Sequence, residues 1–486
     1  MALEHGCGPM RSQWRASEPS QQWISYALLI VALAVGAGVR FHRLDLAQMD
    51  VDEGASWAGA TAPTLADVVA SERRIDPGKL ALYDLLLHGW IRIFGDGLAA
   101  MRAMSALLGT VSIVLVFLAV REALRGGGGL HAYPIEISEM AAGLAALAIA
   151  TSPTLIVSDR TARMYALLIA SELAQVICFL PAVRTGIWRY YVGVSCFSAV
   201  AVATNFSAMF LLFAEGLWLI GLISTKKTRA IIGSRSVLFT GLSIIIGLAM
   251  LLAPLLAVAP GTTAAVRGGI MNWVRPRPAW WAFTIIEQWT GHALWAPLAA
   301  LAGFGAWHQW RGAASASALF SIWLLAPLIA AAGFSWAVMP LMVPRYLLCS
   351  LIAFLALAAL GAASIPNRIV VVAIAGALAF ISLQRIHRRF GRPQGPQWQE
   401  AAAIAGTSAA GAGEIAVVPD YAADAVRYCI SRKTRRLVFG FNGDCGAAQV
   451  AIVDVATYIP EGVAERSRTC YPRVMAKLRQ LEVRAR

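Results

Sequence analysis

Apolar residues in this chain fall in long unbroken blocks rather than in stripes of helical or strand period. Blocks such as Ser236–Val258 and Tyr346–Ala363 stay apolar for the roughly 18 residues needed to cross a hydrocarbon core about 30 Å thick. The pattern predicts about eleven transmembrane helices, near 23–39, 101–120, 139–157, 164–181, 188–204, 206–223, 236–258, 288–307, 314–333, 345–363 and 368–385. The first block, Trp23–Val39, lacks a small-residue cleavage site and reads as an uncleaved span behind a polar cytoplasmic tail, residues 1–22.

One segment resists this reading. Lys79–Phe94 (KLALYDLLLHGWIRIF) is apolar but carries Asp84, His88 and Arg92. If it spans, Lys226, Lys227, Arg229 and Arg235 fall outside. If it lies in the interface, they join Arg121, Arg125, Arg184, Arg189, Arg311 and Arg368 in the cytoplasm, as the positive-inside bias requires. It is therefore predicted to be an interfacial helix. Residues 40–100 then form one long outer loop of a transmembrane domain covering 23–385.

Beyond that domain the pattern changes. Residues 386–396 include the linker-like run Gly391-Arg392-Pro393-Gln394-Gly395-Pro396. In 397–486, strand-like Glu414–Pro419, Leu437–Phe441 and Gln449–Val455 alternate with helical patterns at 397–406, 420–431 and 472–483. The predicted fold is thus an all-α polytopic membrane protein with a small C-terminal α/β domain outside the cytoplasm. That domain has no Gly-x-Gly-x-x-Gly fingerprint, and no internal repeat is visible.

Composition supports the membrane reading. Of 486 residues 58% are hydrophobic and only 14% charged, against about 25% charged in soluble domains. The formal charge of +14 is mostly arginine placed in loops between apolar blocks, where it orients the chain and meets headgroups or phosphates. No basic run interleaved with aromatics marks a nucleic-acid surface. Cys7, Cys178, Cys196 and Cys349 sit in the tail or in spans, whereas Cys429, Cys445 and Cys470 fall in the outer domain, where one disulfide is expected. No cysteine pair has metal-site spacing.

The residues able to carry chemistry cluster in the outer loops. Gln48–Trp57 (QMDVDEGASW) places Asp50, Asp52 and Glu53 soon after the first span. A solvated acidic loop or a helix cap is the plain reading; a general base or a cation ligand is the functional one. Ser152–Tyr165 (SPTLIVSDRTARMY) carries Asp159, Arg160 and Arg163, and Arg345-Tyr346 opens a later span. These arginines either snorkel or grip a phosphate with the guanidinium fork. Glu172 and Glu215 lie inside spans, as proton-coupling groups or as ties between helices.

Taken together, Asp52-Glu53 after span one, IDPGKLALYDLLLHGWIRIFG with Met101-Arg102 behind it, TARMYALL at 161–168 and PRYLL at 344–348 resemble the GT-C glycosyltransferases. The similarity is to bacterial relatives of the protein O-mannosyltransferase and aminoarabinose transferase family. The resemblance implies transfer of a sugar, with inversion, from a polyprenyl-phosphate donor to a lipid, glycan or protein acceptor at the outer face of a bacterial inner membrane. It implies Asp52 as the base activating the acceptor. It also implies a substrate-binding set of Asp50, Glu53, Arg160, Arg163, Tyr165, Arg345 and Tyr346, with Arg163 and Arg345 on the donor phosphate. No metal ligand is assigned. The chain departs from the family pattern in Asp76-Pro77-Gly78-Lys79, Thr161 and Asn205, which leaves acceptor class and divalent-metal dependence open. A transporter or lipid flippase is the rival reading, favoured by the spans with Glu172 and Glu215. Against it stand the acidic first loop and the absence of paired broken spans in two related halves.

Overall fold

The computed structural model of the protein describes residues 19–76, 79–127, 129–224, 234–267, 281–337, 341–390, 398–400, 402–403, 414–418, 422–430, 438–440 and 448–453. Every predicted apolar block coils into helix, since a helix satisfies its own backbone groups where water is absent. In chain order these are α1 (Pro19–Phe41), α2 (Val51–Ala60), α3 (Leu65–Ile75), α4 (Leu82–Phe94), α5 (Leu98–Arg125) and α6 (Ile135–Thr151). There follow α7 (Pro153–Asp159), α8 (Tyr165–Thr185), α9 (Trp188–Thr204), α10 (Ala208–Ser224), α11 (Ser234–Ala249) and α12 (Leu252–Arg267). Then come α13 (Trp281–Thr290), α14 (Trp295–His308), α15 (Ala316–Ala337), a 3₁₀ turn (Pro344–Tyr346), α16 (Leu348–Ala363) and α17 (Arg368–Phe390).

Among the described residues five helices are long and apolar enough to cross a membrane, or seven if each of two bent pairs is one span. The protein is a polytopic, mainly helical membrane protein. The blocks predicted as single spans at 139–157 and 236–258 are each two helices, bent by 61° at α6/α7 and by 54° at α11/α12. The first break follows from Pro153 at the start of α7, which has no N–H to continue the ladder. The block at 288–307 breaks at Gly291, whose φ of +88° suits glycine alone.

The centre of the bundle is α16, in which every residue from Leu348 to Ala363 is buried. That explains why it is apolar on all sides. It meets α14 backbone to backbone: a Cβ on Gly361 would stand 2.0 Å from the Leu301 carbonyl oxygen, and one on Gly305 2.3 Å from that of Leu357. Such small-residue seams replace hydrophobic driving force between helices in lipid. Of the two intramembrane carboxylates, Glu215 accepts a 2.8 Å hydrogen bond from Gln175 Nε2, joining α10 to α8.

At 13 residues α4 is about 20 Å long, shorter than a hydrocarbon core is thick. It buries Tyr83, Asp84, Leu87 and His88, while Ile93 and Phe94 remain exposed.

In the C-terminal region, β1 (Glu414–Val418), β2 (Val438–Gly440) and β3 (Ala448–Val453) form a parallel sheet in the order β2-β1-β3. Helix α18 (Ala423–Cys429) packs on α2 of the first loop, with Trp57 and Tyr428 edge to face at 5.5 Å. The run Gly391–Pro396, the helix expected at 472–483, and Cys445 and Cys470 with the expected disulfide lie outside the described residues.

Candidate active site

The acidic loop after span one is a helix start. Asp50 is the N-cap of α2, and its Oδ1 accepts from the Asp52 amide at 2.9 Å. Glu53 completes a capping box by accepting from the Asp50 amide at 2.9 Å. Glu53 does more. Its carboxylate is fully buried, takes Arg102 Nε and Nη2 at 2.7 and 2.6 Å, and accepts the Ala162 amide at 2.8 Å. Arg102 in turn donates to the carbonyls of Leu44, Ala47 and Gln48. One buried bidentate pair therefore joins α2, α5, the entry loop and the segment before α8. Glu53 thus ties the framework together with its carboxylate on Arg102 and the Ala162 amide, at the edge of the cavity described below.

That framework leaves Asp52 half-exposed on the first turn of α2. Its Oδ2 meets Arg345 Nη1 at 2.8 Å across 293 residues of sequence. Arg163 Nη1 lies 3.0 Å from both the Asp52 carbonyl oxygen and Ser56 Oγ. The Nε of Arg163 is buried without a hydrogen-bond partner among the described residues. Arg345 is aimed by its 3₁₀ turn, to which Trp289 Nε1 donates through the Pro344 carbonyl at 3.1 Å. Burial pushes the Asp52 carboxyl up, but Arg163, Arg345 and Lys79 outweigh it and hold the group below the usual carboxylate range. Asp50 moves the other way, raised by burial and by the neighbouring Asp52 charge.

Asp50, Asp52, Glu53, Arg163, Tyr165 and Arg345 line a single cavity of about 600 Å³ at one end of the bundle, a volume within the usual range of ligand sites. Two expected members stand apart from it. Arg160 instead donates to the carbonyls of Val39, His42 and Arg43 and lies 4.3 Å over the Phe390 ring. The last carbonyls of α1 have no partner within the helix, and Arg160 donates to them. Tyr346 supports Arg345 from below, its ring centroid 5.8 Å from the guanidinium carbon. Asp159, expected in a loop, ends α7 in a buried 2.8 Å pair with Arg40. A Cβ on Gly109 would stand 2.2 Å from the Asp159 Cγ, so glycine there makes the room.

Sequence reading missed several residues of the site. Arg102 signalled itself only by following the interfacial helix. Lys79, paired with Asp76, acts on Asp52 electrostatically. Arg385, Arg388 and Arg389 also line the cavity; their signal was a basic run closing the last span. Among the described residues no three His, Cys, Asp or Glu side chains gather as metal ligands. With two guanidinium groups against Asp52, the donor set around it suits an anion better than a cation.

No described protein family and no curated sequence matches the chain. Solved structures do. The oligosaccharyltransferase AglB from Archaeoglobus fulgidus, in complex with an inhibitory peptide and a dolichol-phosphate, aligns over 86% of this chain at 13% identity and a TM-score of 0.51. This chain has the GT-C fold. It spans 65% of that archaeal chain's length. The same oligosaccharyltransferase tethered to an acceptor peptide with an NVT sequon aligns over 83% of this chain and 63% of its own, at 14% identity and a TM-score of 0.50. ArnT from Cupriavidus metallidurans bound to undecaprenyl phosphate aligns over 84% and 70%, at 14% identity and a TM-score of 0.48. With the GT-C fold in place, the cavity lies where the first-loop helix, the segment before α8 and the 3₁₀ turn converge.

Proposed function

We propose that the protein is a membrane glycosyltransferase that passes a sugar from a polyprenyl-phosphate donor to an envelope acceptor (lipid, glycan or protein) with inversion, on the extracytoplasmic face of a bacterial inner membrane. The observation that carries this reading is the Asp52 carboxylate 2.8 Å from Arg345, with Arg163, from the segment before α8, donating to the Asp52 carbonyl, inside a roomy cavity. A carboxylate beside two phosphate-type forks matches a reaction in which a hydroxyl loses a proton while a phosphate departs.

The steps follow from charge. The acceptor oxygen attacks the anomeric carbon, and Asp52 takes its proton. The bond from that carbon to the phosphate oxygen breaks, and the phosphate keeps the electron pair. Arg163 and Arg345 face the negative charge that grows there. Until donor binds, Arg345 neutralises Asp52; the incoming phosphate competes for the same fork and releases the carboxylate as a stronger base. An apolar groove between α6, α14, α16 and α17, lined by Leu144, Leu298, Leu355 and Leu378, reaches Pro153, which also borders the cavity. That groove would seat the prenyl chain. The C-terminal sheet and α18 belong to a small extracytoplasmic domain, residues 397–486, on this reading.

The test is transfer by purified protein from polyprenyl-phosphate sugars, with Asp52→Asn as the deciding variant. Asn keeps the shape and cannot accept a proton, so turnover should fall at least about a hundredfold with donor binding retained. Near-normal transfer by Asp52→Asn together with Asp50→Asn would place the base elsewhere. A chelator should leave the rate unchanged; a rate that needs divalent metal would make Asp52 a cation ligand instead. Envelope glycans and lipids from a deletion strain would then name the acceptor.

A further inference from the structure

Three arginines near the end of α17 enter the same cavity as Asp52, and the single-phosphate chemistry above does not use them. Arg385, Arg388 and Arg389 are spaced three and four residues apart, so they share one helix face, where like charges repel. No ion pair joins any of them to a carboxylate among the described residues. The acids that border the cavity are already engaged: Asp52 with Arg345, Glu53 with Arg102, and Asp50 as a helix cap.

Arg385 is held in place. Its Nη1 donates to the Thr290 carbonyl at 3.0 Å, and a Cβ on Gly291 would lie 0.8 Å from that nitrogen. The break between α13 and α14 is thus shaped to admit this guanidinium. A favourable helix dipole accounts for positive charge in the last turn of α17. It does not account for three exposed cations that all border a polar cavity already lined by Arg163 and Arg345.

We propose that Arg385, Arg388 and Arg389 form a second anion subsite, so that the substrates of this cavity present two anionic groups rather than one. The inference rests on the glycosyltransferase reading and narrows its substrate class. The shared chemistry is a phosphate or carboxylate beside the departing phosphate. Its source is either the second phosphate of a polyprenyl diphosphate donor or an acidic substituent on the acceptor.

The experiment measures binding to the full-length protein in detergent, wild type against an Arg388→Gln/Arg389→Gln double variant. If the donor supplies the anion, undecaprenyl diphosphate should bind wild type about ten-fold or more tighter than undecaprenyl phosphate, and the double variant should lose that preference. If the acceptor supplies it, the two lipids should bind alike. With undecaprenyl phosphate bound, glucose 6-phosphate but not glucose should then bind wild type and not the double variant. Arg368→Gln, at the opposite end of the same helix, should alter neither result. Equal binding of diphosphate and glucose 6-phosphate by wild type and double variant overturns the subsite. Failure of the donor reading is seen separately, as absent undecaprenyl phosphate binding by wild type; inorganic pyrophosphate on the same samples still reads the three arginines.

Discussion

Glu53 stands one residue from Asp52, yet its carboxylate is fully buried among four protein donors while Asp52 faces the cavity. The difference predicts opposite mutant phenotypes. Arg102→Met leaves Glu53 as a buried unpaired charge, which costs about 3–5 kcal/mol. It should therefore lower the thermal midpoint sharply, as scanning fluorimetry would register. Arg345→Ala and Arg163→Ala should leave the fold intact and weaken donor use, with Lys at either site restoring only part because a point charge replaces a fork. Arg368→Ala is the control, and equal small effects at all three positions would return these arginines to snorkelling. The depressed Asp52 titration adds a pH signature. On the proposed transfer reaction Asp52 stays ionised at neutral pH in the free protein, so the acid limb of kcat/KM should fall below the usual carboxylate range. Once donor phosphate takes Arg345, the limb of kcat should move to higher pH. Coincident limbs would show that the ion pair survives donor binding.

Among elements, α2 matters most, because it carries Asp52 on one face and receives α18 on another. Gly54 permits that contact: a Cβ there would lie 2.6 Å from the Ala425 amide nitrogen. Gly54→Ala should destabilise by about 1–3 kcal/mol through overpacking, and Tyr428→Ala should loosen the same contact. A silent Gly54→Ala would mean that α18 does not dock on α2 in solution. Helices α3 and α4 bring Glu72 and Asp84 together in the first loop. Burial, then the Asp84 charge, pushes the Glu72 carboxyl up to about 8 from its ordinary 4.5. A folded pKa above the unfolded one means stability that is full below about 4.5 and lost as pH rises through about 8. The thermal midpoint should therefore decline from pH 5 to 8, and Glu72→Gln should flatten that decline. An unchanged slope in the variant would assign the pH dependence to another group.

For the whole molecule, the helix ends that line the cavity gather at one end of the bundle, with Arg125 and Arg184 at the far ends of α5 and α8. If that cavity opens outside the cytoplasm, a reporter fused at Gly126 should read cytoplasmic and one after residue 400 should read extracytoplasmic. An outward signal at Gly126 would invert the arrangement. Most apolar blocks, the short helix α4 and the acidic start of the first loop were legible in the sequence, although three blocks predicted as single spans are broken helices. Partition into lipid depends on a contiguous stretch of some 20 residues, so it is written locally. Helix capping at Asp50 and the break at Pro153 are equally local. Tertiary structure alone decided which carboxylate is exposed and which is framework, since Glu53 finds Arg102 across 49 residues and Asp52 finds Arg345 across 293. It alone sent Arg160 to the end of α1 and brought Arg385, Arg388 and Arg389 into the cavity. Charge pairing between distant segments depends on where the helix ends meet, and packing of the whole bundle sets that geometry.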